Sequence, residues 1–109
     1  MDKIDKYVVC LTTVGKNKDG EKIARHLVEK KLVACVNLIP NVVSHYYWKK
    51  KICREKEVVL LMKTMISKVK ALEKELHALH PYELPEFVVL PLKSGSRGYL
   101  DWIKKSLKS

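Results

Sequence analysis

The stretch His80-Pro81-Tyr82-Glu83-Leu84-Pro85-Glu86 gathers an imidazole, a phenol and two carboxylates around two prolines. Each proline fixes its own φ and pushes the preceding residue out of the helical region, so His80 is expected to end a helix and Leu84 to be extended. Polar groups on so stiff a frame suit a binding site. They also suit a plain helix-to-strand connection whose side chains cap the helix and meet water. Imidazole ligates divalent copper and zinc, and thiolate selects monovalent copper, so His80 with Cys35 from a neighbouring strand could hold a soft cation, with Glu57 and Glu83 adding hard oxygen ligands. The four histidines, His26, His45, His77 and His80, show no paired-ligand spacing except His77 and His80 at i, i+3, where His77 is free to face solvent.

Recognisable catalytic machinery is missing. The sequence has no P-loop, no GxGxxG fingerprint, no HExxH and no Gly-x-Ser-x-Gly elbow. Cys35, His80 and Glu83 make a triad only on paper, because no local signature supports them and cysteine is among the most buried residue types. Lys63, near Glu57 or Glu83, reads as a charge-paired lysine. The expectation is a binding protein without a catalytic reaction.

With 109 residues, 47% of them hydrophobic, the chain is enough for one domain over 1–109 and too short for two. Asp2 and Asp5 stand where a signal peptide would be basic, and no run nears the roughly 20 apolar residues of a membrane span. A cytoplasmic protein with no membrane partner is expected. Cys10, Cys35 and Cys53 are odd in number and lack CxxC spacing, which argues for free thiols rather than a disulfide framework or zinc ribbon. The net charge of +10 would attract phosphates, but lysines outnumber arginines 19 to 3, so most of it reads as a solvated surface with no nucleic-acid partner. Lys49-Lys50-Lys51 beside Tyr46-Tyr47-Trp48 keeps single-strand stacking as the alternative. At a hairpin tip the same residues blunt an edge and pair across strands.

The elements that must position these groups follow from periodicity. Tyr7 to Thr13 reads as a strand, Gly15 to Gly20 as a break, and Ile23, Ala24, Leu27 and Val28 as one face of a helix. Ala34 to Trp48 is a long strand interrupted near Pro40-Asn41, where a bulge or bend is expected. Lys49 to Lys51 turn the chain, and Ile52 to Lys63 return as a strand with apolar residues on both faces. Ser67 is a candidate cap for a helix carrying Val69, Leu72, Leu76 and Leu79. Phe87 to Leu90 forms the last strand, and Ser96 opens a short helix with Tyr99, Trp102, Ile103 and Leu107. The order βαββαβ predicts an α+β, ferredoxin-like sandwich with a long β-hairpin and a short C-terminal helix. Two helices cover one face of such a sheet, yet in the first strand Val8 and Cys10 oppose Val9 and Leu11, and in the last Val88 and Leu90 oppose Phe87 and Val89, so both faces are apolar. Each buried Val or Leu contributes roughly 1.5–3 kcal/mol, so association through the second face is expected.

Ala34-Cys35-Val36-Asn37, Ser44-His45-Tyr46-Tyr47-Trp48, Glu57, Lys63-Thr64, His80-Pro81-Tyr82, Pro85-Glu86 and Tyr99-Leu100-Asp101-Trp102-Ile103, in this order and spacing, make the chain resemble the CutA family of divalent-cation tolerance proteins from about Tyr7 to Ile103. The resemblance implies a ferredoxin-like subunit, a homotrimer and a part in tolerance of copper or another divalent metal, with no obligatory cofactor. In metal-binding bacterial members it implies a first-strand cysteine and two histidines just before Pro-Tyr as ligands. Here Thr12 and Leu79 occupy two of those positions and His80 alone matches, while Cys10 lies two residues before Thr12 on the same strand face. The metal candidates are therefore His80, Cys35 and Cys10. In a ring of three, Asn37, Ser44, Glu57, Lys63, His80, Tyr82 and Glu83 would meet in an inter-subunit cleft, with Tyr46, Trp48 and Trp102 as packing residues that could line it. The resemblance extends loosely to trimeric nitrogen-regulatory signal proteins, which makes a small-molecule-sensing scaffold the alternative function.

Overall fold

The computed structural model describes residues 6–108. The elements are β1 (Tyr7–Val14), α1 (Asn17–Glu29), β2 (Cys35–Trp48), β3 (Lys51–Met65), α2 (Val69–Leu79), β4 (Val88–Pro91) and α3 (Arg97–Ser106). One antiparallel sheet holds the strands in the order β2-β3-β1-β4. This is the expected βαββαβ arrangement with a terminal helix.

Strand alternation sorts the residues by face. Val8, Cys10, Thr12 and Val14 of β1, with Val58, Leu60 and Met62 of β3, are buried beneath Ile23 and Leu27 of α1 and Leu72 and Leu76 of α2. Gly20 lies inside the first turn of α1, not in a break before it. A Cβ there would meet Leu38 Cδ2 at 3.1 Å and Leu60 Cδ1 at 3.3 Å, so its bare backbone lets the helix settle on the sheet. α1 ends in a Schellman motif: Leu32 N–H donates to Leu27 O (3.1 Å) and Lys31 N–H to Val28 O (3.0 Å). The left-handed residue this requires is Lys31, φ 58°, where glycine is usual.

Ser67 does not cap α2. It falls within a 3-10 turn, Ile66–Lys68, that leads into the helix, and its side chain makes no capping bond. Ser96 does precede α3 in extended conformation, likewise without a side-chain cap bond. The hairpin turn is only Lys49-Lys50, since Lys51 already pairs with Trp48. Both turn lysines are left-handed, φ 51° and 66°, as a two-residue type I′ connection demands.

The interruption at Pro40-Asn41 is a bulge. Ile39 pairs with Val59, yet the next pair is Val42 with Glu57, so two β2 residues oppose one of β3. Asn41 takes φ 61°, a conformation asparagine tolerates better than most. The extra residue inverts parity along β2: odd positions face away from α1 and α2 before it, even positions after it. Ser44, Tyr46 and Trp48 thereby come to the same face as Glu55 and Glu57.

That second face is partly covered. α3 closes one end through Leu100, Ile103 and Leu107 against Tyr7, Ala34, Met65 and Leu92. Beyond it Ile39, Val88 and Leu90 remain 43%, 43% and 48% exposed. The uncovered apolar face expected from the strand pattern is therefore present.

Candidate functional site

α2 stops at Leu79 because His80 precedes Pro81, and His80 is extended at φ −77°, ψ 134°. Its backbone N–H still donates to Leu76 O at 2.8 Å, which anchors the start of the loop. The buried imidazole stands 2.8 Å through Nε2 from the carbonyl of Thr13, and Nδ1 accepts the Tyr82 backbone N–H at 3.1 Å. A carbonyl can only accept and an N–H only donate, so these partners select the neutral Nε2–H tautomer. Burial is the main cause that holds its pKa below the usual 6.5, with the Thr13 bond pulling the other way.

Held this way, His80 positions Tyr82. The two ring centroids are 4.7 Å apart, and the Tyr82 hydroxyl donates to Glu57 Oε2 at 2.7 Å. Burial first, and then the Glu57 bond, push the Tyr82 phenol well above its usual pKa. The Pro81–Glu86 loop is thus tied to the base of the β2–β3 hairpin. Between them lies an open cleft of about 960 Å³, lined by Thr13, Ser44, His45, Tyr46, Trp48, Glu55, Glu57, Pro81 and the loop from Tyr82 to Glu86.

This cleft within one chain brings together Ser44, Glu57, Tyr82 and Glu83, which were expected to meet between subunits, and Tyr46 and Trp48, expected as packing residues; His80 is not on its wall. Asn37 and Lys63 lie elsewhere, on the sheet face beyond the bulge, where Asn37 pairs with Leu61 and Lys63 with Cys35. Lys63 is not paired with Glu57 or Glu83; its Nζ stands 5.6 Å over the Tyr99 ring. Trp102 stacks on Tyr99 at 5.5 Å and is outside the cleft. Glu55 was not anticipated. Its signal was the i, i+2 relation to Glu57, which puts both carboxylates on one face of a strand.

The thiols do not join His80 within one chain. Cys10 faces the core, fully buried, and desolvation pushes its pKa up to about 11, which disfavours the thiolate a metal needs. Cys35 sits on the opposite face, in register through Lys63 with Val9. Four residues of β1 separate Val9 from Thr13, roughly 13 Å at strand rise, against metal–sulfur bonds of roughly 2.3 Å. Among the described residues no three His, Cys, Asp or Glu side chains converge to hold a metal. The set His80, Cys35 and Cys10 does not fit a copper ion in the single chain, because the sheet separates the sulfurs and both imidazole nitrogens are engaged.

An antiparallel β2-β3-β1-β4 sheet with two helices on one face, a long bulged hairpin and a terminal helix on the other defines a ferredoxin-like α+β protein. Residues 8–106 match the model of the CutA1 divalent ion tolerance protein family, and the chain belongs to that family. It is 41% identical to the divalent-cation tolerance protein CutA of Thermus thermophilus, over 90% of this chain and 95% of that one. It is 43% identical to human protein CutA over 89% of this chain, which spans 54% of the human protein. The crystal structure of CutA from Xylella fastidiosa superposes with a TM-score of 0.92 at 37% identity, over 94% of this chain and 99% of that one.

Proposed function

We propose that this protein serves divalent-cation tolerance as a cytoplasmic homotrimer, receiving cations in the cleft between the hairpin and the Pro81–Glu86 loop without catalysing a reaction on them. The observation that carries this reading is electrostatic. Four of the chain's 12 acidic residues, Glu55, Glu57, Glu83 and Glu86, line one cleft of a protein whose net charge is +10. A cleft of one sign concentrates ions of the other. Because no three ligands converge among the described residues, such ions arrive hydrated and are held by charge rather than by a closed coordination shell. The homotrimer is supported by the apolar sheet face left open beside α3.

A second reading, a small-molecule-sensing scaffold, is favoured by the size of the cleft and by Tyr46, Trp48 and Tyr82 on its walls. Calorimetric titration of the reduced protein with zinc and copper tests the first. The expected result is modest binding that survives His80→Gln and Cys35→Ser but weakens several-fold when Glu55 and Glu83 are both changed to glutamine. Tight stoichiometric binding abolished by His80→Gln, or no binding of any divalent ion, contradicts it.

A further inference from the structure

β1 pairs with β3 only from Val58 to Met65, so β3 from Lys51 to Glu57 has β2 as its one strand partner. Over this length the hairpin is a two-stranded ribbon that projects roughly 20 Å past the sheet at strand rise. It draws the described molecule out to 47 Å, against 27 and 23 Å in the other two directions. The parity set by the bulge divides the ribbon by chemistry. One face carries Ser44, Tyr46 and Trp48 with Glu55 and Glu57, and looks into the cleft. The other, on the side of α1 and α2, carries the cross-strand pairs Val43–Lys56, His45–Arg54 and Tyr47–Ile52, with no carboxylate among them.

Tyr47 and Ile52, at the far end of that face, are 74% and 70% exposed. Lys49, Lys50, Lys51, Arg54 and Lys56 stand exposed around them, and none of the five is in an ion pair among the described residues. From Tyr46 to Arg54 the chain holds no acidic residue at all. Lysines alone are enough to blunt a projecting edge. A tyrosine and an isoleucine left in water beside them serve no such purpose. A single-stranded nucleic acid would stack on Tyr47 but gain nothing from Ile52, and it is held along a groove rather than on a projecting tip. The assembly proposed above uses the opposite face of the sheet and leaves this one open. Anionic headgroups over hydrocarbon match both parts of the tip, since tyrosine settles at the headgroup level, isoleucine just below it, and lysine and arginine meet the surface charge.

We infer that the hairpin tip is a docking surface for anionic phospholipid membranes, with Tyr47 and Ile52 entering the interface and Lys49, Lys50, Arg54 and Lys56 against the headgroups. Docking of this kind needs no spanning helix, and the described residues contain none. The expectation of no membrane partner rested on the lack of a span, which surface binding does not require. The cation reading of the cleft is independent of it, because the cleft lies on the ribbon's other face.

Co-sedimentation of the full chain with vesicles of phosphatidylcholine, with and without phosphatidylserine, tests it. Saturable binding to the phosphatidylserine vesicles is expected, weakening as salt is raised, with little binding to phosphatidylcholine alone. Lys49→Asn with Lys50→Gly supplies the residue pair that a type I′ turn prefers and removes two charges, and is expected to weaken binding about tenfold. Tyr47→Ser with Ile52→Ser is expected to weaken it by about as much. Lys104→Gln with Lys105→Gln on α3 removes the same charge elsewhere and is expected to leave binding within about twofold. Circular dichroism establishes that each variant is folded, and the turn variant decides if the Tyr47 and Ile52 variant is not. No binding to phosphatidylserine vesicles, binding unchanged in both tip variants, or an equal loss in the α3 variant overturns the proposal. Binding of an oligothymidylate that depends on the tip, without vesicle binding, assigns the tip to nucleic acid and also overturns it. A smaller sedimenting species for the folded Tyr47 and Ile52 variant than for the wild type overturns it as well, since that face would then lie between copies of the chain.

Discussion

Thr12 is the residue whose chemistry fits its place least. Its side chain is fully buried on the core face of β1, and Oγ1 has no hydrogen-bond partner among the described residues. Thr12→Val keeps the shape and removes the stranded hydroxyl, so it is expected to stabilise the fold by about 1 kcal/mol, read as a higher midpoint in urea. His80 behaves oppositely, since both of its ring nitrogens are satisfied. Its folded pKa is depressed, chiefly by burial, so the unfolded chain binds the proton more readily. Its stabilising contribution is complete above about pH 6.5, the unfolded value. It is lost as pH falls through the lower folded value. Stability curves of wild type and His80→Gln are therefore expected to differ in slope below about pH 6.5 and to run parallel above it. Two prolines that stiffen their frame made His80, Tyr82 and Glu83 stand out in the sequence, and the structure puts Tyr82 and Glu83 on the wall of one cleft with His80 bonded behind it. The sequence could not reveal that the imidazole faces Thr13, because that contact spans 67 positions.

At the level of elements, the bulge at Pro40-Asn41 decides which hairpin side chains meet the loop. Without its extra residue Ser44, Tyr46 and Trp48 would turn to the face opposite Glu55 and Glu57. The interruption was readable from proline and asparagine in a long apolar strand, but the resulting change of parity needed the pairing register. The C-terminus of α1 carries a different lesson. Lys31 adopts the left-handed conformation of a Schellman motif with nothing in the sequence to mark it. A left-handed non-glycine residue costs roughly 1–2 kcal/mol, and glycine recovers part of that against its own entropy. Lys31→Gly is expected to raise stability by about 1 kcal/mol in chemical denaturation; a loss of stability would mean that the lysine side chain matters more than its backbone. Ser67 shows the limit of cap reading, since a 3-10 turn takes up the start of α2 and leaves the hydroxyl unused.

For the whole molecule, the α+β class and the βαββαβ succession of elements were legible because periodicity separates strands from helices and that succession admits few topologies. The separation of Cys10 from Cys35 was not, because spacing along a chain does not say which face of a sheet each strand presents. The same sheet poses the largest energetic question. Val88 and Leu90 on β4 and Ile39 on β2 lie exposed on a face that α3 covers only at one end. Burying such side chains contributes roughly 1.5–3 kcal/mol each, comparable in sum to a small domain's stability margin. The cleft opens on this face as well, so the assembly that covers the apolar strands would also frame the site. Sedimentation velocity on the wild type and on Leu90→Asp tests this most directly. The expected result is a wild-type species of three times the 12.6 kDa chain mass and a shift of Leu90→Asp toward the monomer. A stable, folded wild-type monomer at micromolar concentration would contradict it.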